Sequence, residues 1–179
     1  MLRTILIYGV IAGLIVAIPM FALIVVAPNS NSWQASQLTG YALMILAFSL
    51  IIVGVKSYRD KVKGGVIKFV PAFLVGLGIS AIASLVYVIG WEITLALTNY
   101  SFAADYAASA LQAAEARGAS PAEVESMRVQ FAEFARSYAN PLFRLPMTFV
   151  EIFPVGLLIS LLSAALLRNS RFLPAGGAK

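Results

Sequence analysis

Long runs of apolar residues, separated by polar segments, organise this chain of 179 residues. Four runs are long enough to cross a bilayer as helices, at about 4–27, 38–55, 70–98 and 145–167. A membrane-spanning helix needs about 20 apolar residues, because each residue adds about 1.5 Å along the helix axis. The pattern therefore predicts an all-α protein, a four-helix transmembrane bundle, with residues 1–179 as a single integral membrane domain.

The segment of about 99–144 has a different pattern. Ser120-Pro121-Ala122-Glu123 is a capping-box sequence with proline at the first helical position. Apolar residues then recur at helical spacing with charged residues between them: Val124, Met127, Phe131, Phe134 and Tyr138. The preceding residues, 100–117, are rich in alanine and end near Gly118. We expect an extracytoplasmic helical hairpin between the third and fourth spans, which either caps the bundle or binds a partner or lipid.

Composition narrows the classes of function. Hydrophobic residues make up 60% of the chain and charged residues only 12%, against about a quarter charged in a soluble domain. The absence of cysteine excludes disulfides, thiol nucleophiles and thiolate metal sites, and the absence of histidine excludes Ser-His and Cys-His catalysis within the chain. The sequence also has no phosphate loop, dinucleotide fingerprint or zinc motif. We therefore predict no enzyme activity, no cofactor and no metal.

The net charge of +5 is unevenly distributed. Its largest cluster lies between the second and third spans: Lys56, Arg59, Lys61, Lys63 and Lys68. Further basic residues flank the first and last spans: Arg3, Arg168, Arg171 and Lys179. The connection 27–37 carries no charge, and 99–146 has four arginines against five acidic residues, a net charge of −1. The positive-inside rule then places both termini in the cytoplasm, and the basic cluster suits lipid headgroups rather than nucleic acid.

The first apolar run is longer than the core of a signal peptide, so we interpret it as a retained span. Pro19 lies inside it and is expected to bend it. Asn29-Ser30-Asn31-Ser32 should break the helix after it, and Trp33 suits an anchor at the membrane interface.

Small residues recur four positions apart on three of the four spans. They are Gly9, Gly13 and Ala17 on the first, Ala72, Gly76, Ser80 and Ser84 on the third, and Gly156, Ser160 and Ala164 on the fourth. Such stripes allow close approach of helix backbones. They predict tight packing, either inside one chain or between copies of it.

Two carboxylates fall within apolar segments, Glu92 near the end of the third span and Glu151 near the start of the fourth. If these spans are antiparallel, both acids lie near the outer end of the bundle, where Arg144 can reach toward either. A charged side chain at bilayer depth usually pairs with another group, contacts water or serves a function. Three interpretations remain open: a buried polar cluster that fixes helix register, a binding or proton-handling site, or exposure to interfacial water.

Four sequence blocks carry a resemblance to a known family. They are Gly40-Tyr41 through Asp60, Gly64-Gly65-Val66-Ile67-Lys68-Phe69, Tyr87-Val88-Ile89-Gly90-Trp91-Glu92-Ile93, and Tyr138-Ala139-Asn140-Pro141 with 147–156. They resemble a bacterial family of small four-span membrane proteins known as domain of unknown function 4199. The resemblance implies a location in the bacterial inner membrane. It implies no established activity.

These observations favour a non-enzymatic membrane protein with a structural, assembly or interaction role. The alternative is a small transporter or proton-coupled carrier that uses Glu92 and Glu151. The partners expected are the lipid bilayer and either a second copy of the chain or another membrane protein, and no nucleic acid.

Overall fold

A computed structural model describes the backbone of residues 1–26 and 33–175 and the side chains of residues 1–25 and 40–175. The described part of the chain contains helices and no strand. The helices are α1 (Leu2–Phe21), α2 (Trp33–Val62), α3 (Phe69–Leu97), α4 (Phe102–Ala116), α5 (Pro121–Tyr138) and α6 (Pro141–Leu167). A π-helical turn, Ala22–Val26, follows α1. The all-α prediction is confirmed.

Four of these helices are long and apolar enough to cross a membrane, over Leu2–Val25, Gly40–Val62, Phe69–Leu97 and Pro141–Leu167. The protein is therefore a multi-pass membrane protein. The predicted helix break at 29–32 lies outside the described residues. The side chain of Trp33, the predicted anchor, lies outside the described side chains.

The second span ends later than the prediction of about residue 55. Helix α2 continues to Val62, so the first residues of the predicted basic loop are helical. Lysine and arginine are good helix formers, and the end of an apolar run does not by itself end a helix. The helix stops where Gly64 and Gly65 adopt positive φ angles of 67° and 90°. The N–H of Gly65 donates a hydrogen bond to the Arg59 carbonyl, at 3.0 Å.

Helix α6 begins earlier than the prediction of about residue 145. Pro141 occupies its first position, where proline's missing N–H costs nothing. The Asn140 side chain accepts a hydrogen bond from the Leu142 N–H at 3.0 Å, which caps the first turn. Arg144 therefore lies within α6, close to its first residue.

The contacts divide the chain into two compact units. The first combines residues 1–91 with 149–179, and the second is Glu92–Thr148. Helices α3 and α6 each contribute to both units. The prediction of a single domain stays a prediction.

In the first unit, small residues lie where helix α1 meets α3. A methyl group added to Gly13 would lie 2.6 Å from Val86 Cβ, and one added to Gly9 would lie 2.6 Å from Ile82 Cβ. A methyl group on Gly90 would lie 2.8 Å from Ala17 Cβ. Such distances are shorter than atoms tolerate, so only glycine permits this approach. The stripe on α1 thus packs inside the chain.

Helices α3 and α6 also approach through small residues within the first unit. A methyl group on Gly76 would lie 3.0 Å from Ser160 Cβ, and one on Gly156 would lie 2.8 Å from Ser80 Cβ. The hydroxyl of Ser160 donates to the Gly156 carbonyl within the helix, at 2.7 Å. The predicted packing residues of the third and fourth spans therefore face one another.

The second unit contains the predicted helical hairpin, α4 followed by α5. The two helices pack together, and the rings of Tyr106 and Phe131 meet edge to face at 5.9 Å. The capping box forms as its sequence predicts: Glu123 accepts from the Ser120 N–H at 2.7 Å, and Ser120 Oγ accepts from the Glu123 N–H at 3.3 Å. Gly118, with φ 82°, provides the turn before it.

Candidate functional site

Arg144 and Glu92 form a two-point ion pair inside the second unit. Arg144 Nε lies 2.7 Å from Glu92 Oε1, and Nη2 lies 2.7 Å from Oε2. Arg144 is 3% exposed, and the Glu92 side chain is 26% exposed. The planar guanidinium group matches both oxygens of a carboxylate, so the pair fixes orientation as well as distance. Glu92 lies near the end of α3 and Arg144 in the first turns of α6.

The other terminal nitrogen of Arg144 binds the end of α5. Nη1 donates to the Tyr138 carbonyl at 2.9 Å, and the Ala139 carbonyl lies 3.4 Å away. The last carbonyls of a helix have no partner within that helix. Arg144 therefore satisfies backbone groups that α5 leaves open, while its charge is matched by Glu92.

Two aromatic rings complete the surroundings of the guanidinium carbon. The ring centroid of Tyr100 lies 5.1 Å from it and that of Tyr138 lies 5.7 Å away, both within the range of a cation–π contact. Tyr100 has a φ of 57°, in the left-handed region that residues with a side chain rarely adopt, and Asn99 beside it has a φ of 50°. A strained backbone thus places the Tyr100 ring beside Arg144.

We call the group formed by Arg144, Glu92, Tyr100, Tyr138 and Ala139 the arginine latch. One side chain in it joins the end of α3, the end of α5 and the start of α6. A buried charge is tolerated when it is paired and its hydrogen bonds are satisfied, and the latch meets both conditions. It holds charge and backbone in place and contains no histidine or thiol nucleophile.

Glu151, the third member of the predicted cluster, belongs to the first unit, and its side chain is exposed. The structure brings Glu92 and Arg144 together. The proximity of Glu92 and Glu151 stays a prediction, as does the proton-handling role of the cluster.

Arg59 is a second buried arginine, which the sequence pattern placed in the basic cluster between the second and third spans. It is 0% exposed in the first unit. Its Nε donates to Asp60 Oδ1 at 2.7 Å, and its terminal nitrogens donate to the carbonyls of Phe172, at 2.9 Å, and Leu173. We call residues 168–175 the C-terminal strap. Its carbonyls lie more than a hundred positions from Arg59, so no local sequence signal could have identified the contact.

Asp60 also pairs with Lys56, whose Nζ lies 2.5 Å from Oδ2. One carboxylate thus serves two cations at the end of α2. Among the residues that the structure describes, no three acidic, histidine or cysteine side chains gather in a way that could hold a metal ion.

A family model described as a protein of unknown function, DUF4199, matches residues 7–169 of the chain. The chain belongs to the DUF4199 family. The resemblance predicted from the sequence blocks is thereby confirmed. The matched region includes Glu92 and Arg144, the ion pair of the latch, and also includes Arg59 and Glu151. Searches of curated proteins and of solved structures find no match to this DUF4199 protein.

Proposed function

We propose that this DUF4199 protein is a non-enzymatic protein of the bacterial inner membrane, with both termini in the cytoplasm, that presents the α4–α5 hairpin to a protein partner. The arginine latch is the observation that carries the proposal. In it, Arg144 and Glu92, two members of the predicted cluster, form an ion pair that holds backbone segments of the second unit together.

The latch favours a structural role over transport for Glu92. A carrier carboxylate must bind its cargo and then release it. Both oxygens of Glu92 are instead engaged by Arg144 at 2.7 Å, and the remaining Arg144 contacts are to backbone carbonyls and rings of the same unit. Breaking such an arrangement in each cycle would leave a buried guanidinium group without its counter-charge.

The hairpin supplies a surface suited to protein recognition. Helix α5 exposes residues of both charge signs: Glu125, Arg128, Glu133 and Arg136. Val129 lies among them and is 50% exposed. A mixed-charge surface with apolar points selects a partner by complementary charges, which orient the complex and exclude wrong partners.

A photo-cross-linking residue at Val129 tests the proposal in cells. We expect a discrete cross-linked product that is absent when the same residue replaces Ile45, which is 62% exposed on a membrane-spanning helix. The variant Arg144→Met should reduce the product, because the hairpin loses its anchor. The same products from both positions, or a product that survives loss of the latch, would contradict the proposal.

A proton-coupled carrier is the second candidate, and the exposed carboxylate of Glu151 within a membrane-spanning helix favours it. Purified protein in liposomes loaded with a pH-sensitive dye would decide between the two. Proton-coupled solute uptake that Glu151→Gln abolishes, and that the matched surface variant Glu133→Gln retains, would replace the structural proposal.

A further inference from the structure

One face of α6 exposes a carboxylate together with apolar residues. Within the first unit, the exposed residues Glu151, Pro154, Leu158 and Leu162 recur at three- and four-residue spacing. This spacing puts them on one side of the helix. The residues that point to the core are Ile152, Gly156, Ser160, Ser163, Ala164 and Leu167. We call the exposed side the Glu151 face.

The position of Glu151 along α6 places it within the hydrocarbon. It precedes Leu167, the last residue of the helix, by 16 positions, which is about 24 Å along the axis. Arg168 follows and is exposed, so it marks the polar boundary at that end. Because the hydrocarbon layer is about 30 Å thick, Glu151 lies inside the far boundary by about one helical turn.

A carboxyl group at that depth needs a hydrogen-bonding partner. Among the residues that the structure describes, none is hydrogen-bonded or ion-paired to Glu151. The backbone beside it has an open acceptor as well. Pro154 has no N–H, so the Val150 carbonyl loses its regular helical donor, and Val150 is 61% exposed.

A second copy of the chain satisfies the Glu151 carboxyl group without any further molecule. A neutral carboxylic acid both donates and accepts a hydrogen bond, so it is complementary to itself. Two copies inserted in the same direction hold Glu151 at the same depth. A two-fold axis along the membrane normal then places each Glu151 opposite its counterpart. A different protein would need a polar group at this one depth.

We propose that the Glu151 face is the interface of a homodimer in the membrane, with the two Glu151 carboxyl groups hydrogen-bonded to each other across it. The inference goes beyond the role proposed for the hairpin, because it concerns the other unit and a different residue. Either proposal can fail while the other stands.

Single cysteines test the dimer cleanly, since the chain has no native cysteine. Leu158→Cys puts a thiol on the Glu151 face, and Leu85→Cys puts one on α3, where Leu85 is 50% exposed. Oxidation in native membranes by iodine, which enters the bilayer, should give disulfide-linked dimers from Leu158→Cys and few from Leu85→Cys. Equal yields, or adducts of Leu158→Cys with a different protein, would overturn the proposal.

Substitutions of Glu151 in the Leu158→Cys background identify the group responsible. Glu151→Gln keeps a donor and an acceptor and should keep the dimer. Glu151→Leu should lower the association constant about tenfold, the loss of an interhelical hydrogen bond in a bilayer. Thermal unfolding in detergent checks that both variants fold. An unchanged yield in a folded Glu151→Leu protein would show that Glu151 meets interfacial water only, and the proposal would be wrong.

Discussion

At the scale of single residues, the latch shows how a charge can be buried without an energetic penalty that unfolds the protein. Arg144 is matched in charge by Glu92 and in hydrogen bonding by the end of α5. Each contact depends on the others, since removing Glu92 would leave a guanidinium group buried and uncompensated.

Arg144→Met should lower the free energy of unfolding by about 3 kcal/mol, the loss expected for one partner of a buried pair. The double variant with Glu92→Leu should recover part of this loss, because no unpaired carboxylate remains. Arg128→Met is the matched control. Its pair with Glu125 is 3.5 Å long and exposed, so its loss should cost about 0–1 kcal/mol. Equal midpoints for Arg128→Met and Arg144→Met in thermal unfolding would argue against the latch.

Glu123 gives the hairpin a defined pH response. The hydrogen bond from the Ser120 backbone, assisted by the Ser120 hydroxyl, holds the pKa of the Glu123 carboxyl below its usual value of 4.5. A carboxyl whose pKa is lowered by folding stabilises the fold above its unfolded-state pKa, and the contribution is lost as the pH falls through the folded-state pKa.

We therefore expect the first turn of α5 to loosen below about pH 4.5. Hydrogen exchange of the amides at the start of α5 should accelerate relative to its centre as the pH falls, after correction for intrinsic exchange. In Ser120→Ala the turn should already exchange fast near neutral pH. A first turn equally protected in both proteins at neutral pH would show that the capping box contributes nothing.

At the scale of helices, glycine sets the distance between α1 and α3. Gly13→Ala should destabilise the protein by about 1–3 kcal/mol, because the new methyl group would lie 2.6 Å from Val86 Cβ and 2.8 Å from the Ala83 carbonyl oxygen. The control is Gly40→Ala on α2. A methyl group there meets nothing within 4 Å and should be neutral or stabilising, given alanine's higher helix propensity. Thermal unfolding that ranks the two in the opposite order would contradict the close approach.

The C-terminal strap is required by a helix far from it in sequence. Ending the chain after Leu167 removes the two carbonyls that accept from Arg59. The buried guanidinium group would keep Asp60 as a partner, and stability should fall by about 3 kcal/mol. Ending the chain after Ala175 leaves both carbonyls in place and should have little effect. Matching yields and unfolding midpoints for the two truncations would show that the strap is dispensable.

At the scale of the whole molecule, the charge distribution predicts the orientation in the membrane. Alkaline phosphatase is active only outside the cytoplasm. A fusion after Arg117 should therefore be active, and a fusion after Lys63 should be inactive, because the positive-inside rule predicts that the basic cluster is cytoplasmic. Fusions of a reporter that is active only in the cytoplasm should give the reverse result. Activity after Lys63 with none after Arg117 would reverse the topology.

Sequence alone determined the features that depend on neighbouring residues. The length of the apolar runs predicts the four spans, because a helix needs about 20 apolar residues to cross a bilayer. The capping box at Ser120 and Glu123 could be predicted because the two residues lie three positions apart. The hairpin could be predicted from the helical spacing of its apolar residues. Even so, the end of α2 was misplaced, since the helix ends at the glycines Gly64 and Gly65 and not where its side chains cease to be apolar.

Only the tertiary structure decided the pairings between distant residues. Arg144 and Glu92 lie 52 positions apart, and Arg59 lies 113 positions from Phe172. The sequence left open which carboxylate Arg144 contacts, and nothing local distinguishes the buried Arg59 from the exposed Lys61 and Lys63 beside it. The stripe on α1 likewise fitted either a second copy or the same chain until the fold set Gly13 against Val86. Which charges are buried and which small residues meet depends on the path of the backbone through space, and local pattern does not contain that path.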